Sequence, residues 1–254
     1  MKYFTLTITF ALFILGLSAQ ITYGVKPNRA NPDRDWTTQH KQEDRFSVHV
    51  KAGGNLSGVF WQESIGAGNV KVRPNPGLHA GMAVSVPVYI IHKHFALQSG
   101  VFFTQKGFRQ YYEDGMFGKG TLIVSPRYIE LPVNVLFKGD EYTPARLYFG
   151  AGGYIAHGIN GGNWSIEYKG GRDAGSIEFV DISDQNDHDD RFNYGKKIDI
   201  GISVILGYEI TPNIGFELAG QRGLKNIAPT RAGNMTFERF YNAGLMLSAI
   251  FTLQ

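Results

Sequence analysis

Cysteine is absent from the 254 residues, which removes disulfide scaffolds, thiolate zinc sites, cysteine nucleophiles and a lipid-modified cysteine anchor. Charge is scarce: 25 Lys and Arg stand against 22 Asp and Glu, and only 19% of residues are charged, below the usual ~25%. The net +3 is not gathered into the basic stripe of a nucleic-acid surface, so nucleic acid is not expected as a partner. Helical spacing is sustained nowhere in the chain. No G-x-S-x-G surrounds a serine, no P-loop or H-E-x-x-H exists, and Gly150-Ala151-Gly152-Gly153 does not complete G-x-G-x-x-G. An enzyme is not expected, and neither a catalytic residue, a cofactor nor a metal site is assigned.

What is present begins with one apolar run. Lys2 precedes Tyr3 to Leu17, followed by Ser18-Ala19-Gln20, the layout of a secretory signal cleaved after a small residue. The run is short for a helix crossing ~30 Å of hydrocarbon. Residues 1–19 are read as a cleaved signal peptide, which takes only Lys2 from the charge count and leaves the exported chain at +2. Residues 20–44, with Pro27 and Pro32 and no periodicity, read as a polar periplasmic leader.

From Arg45 the pattern is alternation, the period of a strand with one apolar face. Eight such segments stand at about 45–61, 76–89, 94–107, 127–137, 145–157, 193–210, 213–221 and 239–253. In the second, Leu78, Ala80, Met82, Val84, Val86 and Val88 oppose Gly77, His79, Gly81, Ala83 and Ser85; in the sixth, Ile198, Ile200, Ile202, Val204 and Leu206 oppose Asp199, Gly201, Ser203 and Gly207. Links after strands two, four and six are short (90–93, 138–144, 211–212), and those after one, three, five and seven are long (62–75, 108–126, 158–192, 222–238). An outer-membrane barrel has this asymmetry, an even strand count and an outward apolar band ~25 Å tall, and closure leaves no backbone group unsatisfied in lipid. The expected fold is all-β, an eight-stranded antiparallel up-and-down transmembrane barrel over 45–254, with short periplasmic turns and long extracellular loops.

Several finer expectations follow. Phe60, Trp61, Tyr128, Tyr154, Tyr194, Phe240 and Tyr241 fall near the long loops, and Phe46, Tyr89, Phe95, Phe137 and Tyr208 near the short turns, which suggests two interfacial girdles. Gly150, Gly152, Gly201, Gly207 and Gly244 lie on the polar face, where a narrow barrel needs small residues. Pro87 and Pro132, inside strands, are read as bulges. Inward Lys106, Glu130, Lys197 and Asp199 form a candidate polar cluster across the lumen, and eight strands leave an interior just filled by side chains. His49 and His79 face inward, but a first turn near 68 would set them opposite residues 88 and 58, at opposite ends. His92 and His94 share a face in a turn, and the loop 181–190 (DISDQNDHDD) is acidic, yet it has neither the glycine nor the glutamate of an EF-hand frame.

The run Tyr128-Ile129-Glu130-Leu131-Pro132-Val133 resembles the "Y-[LI]-E-[IL]-P" strand of the PorT-like outer-membrane β-barrel family of Bacteroidetes, within the wider porin family. Matching pieces are Lys51 to Ser57, Pro76 to Gly81, Leu97 to Gly100 with Thr104 to Gly107, Leu147 to Gly152, Ile198 to Gly201 with Gly207 to Glu209, and Gly223 to Ile227. The resemblance covers about 45–253 and implies an outer-membrane location and a small barrel. Its namesake branch looks tied to type IX secretion, a role no motif here marks. The closing Phe251-Thr252-Leu253-Gln254 departs from the usual terminal aromatic, and the loop at 159–191 is long.

The expected function is that of a non-enzymatic, monomeric barrel with a plugged lumen, serving a structural, adhesive or secretion-assisting role through its loops. Its partners would be outer-membrane lipid and an envelope or secretion protein. The alternatives are a soluble lipocalin-type barrel, which would turn its apolar face inward around a small hydrophobic ligand, and a lipid-modifying enzyme whose site lies on the barrel rim.

Overall fold

The computed structural model describes residues 46–63, 72–88, 94–114, 118–138, 146–168, 170–179, 182–183, 191–231 and 238–253. The signal, the leader, His92 and most of the acidic loop lie outside them. The strands are β1 (Ser47–Glu63), β2 (Val72–Pro87), β3 (Phe95–Gln105), β4 (Phe108–Asp114), β5 (Gly118–Lys138), β6 (Arg146–Tyr168) and β7 (Gly171–Phe179). They continue as β8 (Ile182–Ser183), β9 (Arg191–Gly195), β10 (Ile198–Glu209), β11 (Ile214–Gly223), β12 (Thr230–Arg231) and β13 (Glu238–Leu253).

Eight of these strands form a ring. β1 pairs β2, then β3, β5, β6, β10, β11 and β13 follow, and β13 pairs back onto β1, every contact antiparallel. One row runs Val48, Val84, Ser99, Val133, Gly153, Ile202, Arg222, Ala243 and returns to β1 at Gly58, ten residues beyond its start. Ten residues at ~3.3 Å against eight strands at ~4.8 Å require a tilt of about 40°, within the range of outer-membrane barrels.

The two faces are inverted relative to a water-soluble barrel. Buried positions include His49, Lys51, Asn55, Gln98, Glu130 and Asp199, while Leu78, Phe149, Ile202, Val204, Leu247 and Phe251 are exposed. Along β10 and one residue past its end, the outward residues Ile200 to Ile210 span about 25 Å along the barrel axis at that tilt. This face needs hydrocarbon, not water, and the lipocalin-type alternative, with its apolar face inward, is overturned.

The structure corrects the expected loops. β2 begins at Val72, β4 and the start of β5 form a hairpin inside 108–126, and β6, β7 and β9 occupy much of 158–192. Beyond the lipid band neither face meets hydrocarbon, so Leu122-Ile123-Val124 are consecutive apolar residues without alternation. The prolines are corrected as well. The register shift lies between Ser125 and Arg127, whereas Pro132 pairs with Tyr154 in register. On its other side Pro132 falls in a gap of the β3 ladder, between the Ser99–Val133 and Phe102–Glu130 pairs, without shifting it, as a missing N–H predicts. Pro87 ends β2 opposite Ala96.

Candidate functional site

The interior is built in layers. Toward the short turns, Lys51 Nζ donates to both carboxylate oxygens of Glu217 at 2.8 and 2.7 Å and to Gln98 Oε1 at 2.9 Å. The Tyr148 hydroxyl donates to Glu217 Oε2 at 2.8 Å, so a cation from β1 and a phenol from β6 converge on one acid from β11. Tyr148 fits because Gly207, its partner on β10, has no side chain: a Cβ there would stand 1.9 Å from Tyr148 Cζ. Gly201 makes the same space for Tyr154 one layer up.

In that upper layer Lys106 Nζ lies 2.5 Å from Glu130 Oε1 and 3.4 Å from Asp199 Oδ2, and 4.3 Å from the centre of the Tyr154 ring. Asp199 Oδ2 also accepts from Asn242 Nδ2 at 2.9 Å and from the Tyr154 hydroxyl at 3.1 Å. Gln221 donates to Glu130 Oε2 at 3.3 Å. The structure thus brings three of the four cluster residues together. Lys197 is exposed and is corrected out of the lumen. Lys196 N–H donates to the Ile227 carbonyl and Gly158 N–H to the Lys197 carbonyl, so the chain departs from strand geometry between β9 and β10. Counting alternation back from Asp199 therefore fails.

Above the charges sits an apolar cap. Phe108, Val124, Tyr128, Phe179, Tyr194 and Ile227 pack together, buried, at the long-loop end. Ile227 comes from the segment after β11, which is drawn inward: Ile227 N–H donates to the Phe240 carbonyl at 3.0 Å. Asn226 Oδ1 accepts from the N–H groups of Ala228 and Phe240 at 3.1 and 2.9 Å. Tyr128, Tyr154, Tyr194 and Phe240 were expected in an outer girdle, but they are buried in this cap. Their alternation places them inward, and position near a strand end does not determine facing. Phe60 and, at the other end, Phe46 and Tyr208 do face outward; the Trp61 side chain and Tyr89 lie outside the described residues.

The two inward histidines are engaged separately. His49 contacts Thr252 Oγ1 and Ser85 Oγ, both at 2.9 Å, and His79 contacts Thr104 Oγ1 at 3.0 Å while stacking on Phe102. Their strand partners are Ala83 and Gly53, not residues 88 and 58, because the β1–β2 register is centred nearer 66 than 68. The Ser85–His49 contact lacks a carboxylate on the second ring nitrogen, so it is not assembled as a nucleophile and base. No group of three metal-ligating side chains occurs among the described residues.

Taken together, the site is a brace. Charges carried by different strands pair across the interior, and aromatic rings pack over the upper layer at the long-loop end. No curated protein matches the chain. Among solved structures it is similar to Neisserial surface protein A, with 12% identity, 82% of this chain and 98% of that one covered, and a TM-score of 0.37. Ail, the attachment invasion locus protein of Yersinia pestis, is also similar, with the same identity, coverage and score. The outer membrane protein OprG of Pseudomonas aeruginosa has 12% identity, coverage of 82% and 96%, and a TM-score of 0.42. The outer membrane protein beta-barrel domain matches residues 30–228, most of the chain and most of the ring, and the protein belongs to that family of outer-membrane barrels.

Proposed function

We propose that the protein is a non-enzymatic barrel with a closed lumen that works at the cell surface through its long-loop end, in a structural, adhesive or secretion-assisting role. The observation that carries this reading is the filled interior: the Lys51–Glu217 and Lys106–Glu130–Asp199 layers under the Ile227 cap leave little room for a solute path. The resemblance to PorT-like barrels supports placing it in that branch, with an envelope or secretion protein as its partner. The barrel is monomeric in this reading.

Two measurements test it. In planar bilayers the purified protein is expected to give no steady ion conductance; a stable open channel would overturn the closed-lumen reading. Replacing residues 184–190 by a Gly-Ser linker of equal length, which spares Ile177 and Phe179 of the cap, is expected to leave the barrel folded and to abolish cross-linking to its envelope partner. Unchanged cross-linking would remove the role assigned to that loop.

A further inference from the structure

The upper charged layer of the lumen does not sum to neutral. In the lower layer Lys51 and Glu217 cancel. In the upper one a single ammonium, Lys106, serves two carboxylates, Glu130 and Asp199, which leaves one negative charge in excess. All three groups are buried, Asp199 at 0% exposure, and the apolar cap lies above them. A charge left unneutralised in such surroundings is strongly disfavoured. His79, whose charge would act on Glu130, is instead taken up by Thr104 and the Phe102 ring.

A proton cancels the charge only where it finds an acceptor. Glu130 Oε1 faces the Lys106 ammonium, and Oε2 accepts from Gln221. Asp199 Oδ2 accepts from Asn242, Tyr154 and Lys106. A proton on any of these three oxygens would point at a donor. The fourth oxygen differs: Asp199 Oδ1 is buried with no hydrogen-bond partner among the described residues, and so is the Tyr128 hydroxyl. Buried orphans of this kind call for a bound water or ion. Tyr128 is turned toward Asn242, Tyr194 and Asp199, and Tyr194 donates to Asn242 Oδ1 at 3.3 Å. On the β11 side Gly223 leaves Asp199 Oδ1 uncovered, since a Cβ there would stand 3.1 Å from that atom.

We infer that this layer holds one monovalent alkali cation, of sodium's class, between Asp199 Oδ1 and the Tyr128 oxygen, with water completing its shell. Hard cations take oxygen donors, and a single positive charge brings the layer to zero: Lys106 and the ion stand against Glu130 and Asp199. A divalent ion would overshoot, and it would find too few carboxylate oxygens, because Glu130 is already engaged by Lys106 and Gln221. Lys106 approaches Asp199 on the Oδ2 side, so ammonium and ion divide the carboxylate between them. Closure of the ring encloses the ion, which becomes part of the brace and not a solute in transit. Nothing in this depends on what the loops bind.

The test follows folding of the full chain into lipid vesicles by urea titration, in sodium chloride and in choline chloride at equal ionic strength. Sodium is expected to raise the urea midpoint saturably. Tyr128→Phe, which deletes the hydroxyl and keeps every charge, should raise the sodium concentration for half the effect about tenfold, the weight of one lost ligand. Asp199→Asn should abolish the sodium dependence. Glu217→Gln, in the lower layer, should keep it while lowering the midpoint, and heat-shifted gel mobility verifies that each variant is folded. Equal midpoints in the two salts overturn the inference. So does a sodium effect that Tyr128→Phe leaves unchanged, which would belong to the protein's surface. An infrared band of a protonated carboxyl, present in sodium chloride at neutral pH and removed by Asp199→Asn, would also overturn it and give the missing charge to a proton.

Discussion

The Tyr148 ring lies across the bare backbone of Gly207, so close that a single added carbon would stand 1.9 Å from Cζ. The phenol is thereby aimed at Glu217, 2.8 Å away. Gly207→Ala displaces the ring and breaks that charge-assisted bond, with an expected loss of about 2–4 kcal/mol. Urea titration of folding into lipid vesicles measures it. Gly244→Ala is the contrast: its Cβ would meet Leu56 O at 3.6 Å, and the midpoint should hardly move.

Lys51 and Glu217 are both buried and use each other fully. Lys51→Met leaves a buried carboxylate without its cation and should cost about 3–5 kcal/mol. Adding Glu217→Leu to that variant should recover much of the loss. Strict additivity in the double-mutant cycle would show that the pair is not coupled.

Asn226 fastens the segment after β11 with two backbone contacts. Asn226→Ala is expected to cost about 1–2 kcal/mol locally and to expose residues 224–231 to protease while the ring stays closed. Resistance equal to the parent protein would mean that the apolar cap alone holds the segment.

A ring of eight paired strands resists SDS until heated. The unboiled protein from the outer-membrane fraction should migrate apart from the boiled one. Equal mobility would contradict closure between β1 and β13.

The ring was legible in the sequence because lipid imposes a strict period of two. Leu78 to Val86 on β2 and Ile198 to Leu206 on β10 alternate cleanly, since one side meets only hydrocarbon and the other only the lumen. Legibility stops where lipid stops. Residues 118–126 and 158–168 are strand but pack against the cap on one side and solvent on the other, so their pattern is irregular. Lys106, Glu130 and Asp199 could be placed inward by parity. Lys197 could not, because parity is lost where Lys196 bonds Ile227. The Lys51–Glu217 pair escaped notice for a different reason: it joins residues far apart in the chain whose strands become neighbours only through β13. No local signal marks such a contact.

The seam between β1 and β13 runs from Val48 against Leu253 to Glu63 against Glu238. It joins the earliest described strand to the latest, so the ring has no self-sufficient half. A nascent chain must travel to the membrane with its greasy and polar faces both uncommitted, and the last strand to arrive completes everything at once. A polypeptide cut short before β13 would leave two raw sheet edges and an unbalanced interior, and it should be cleared by envelope proteases rather than persist as a partial, partly working product.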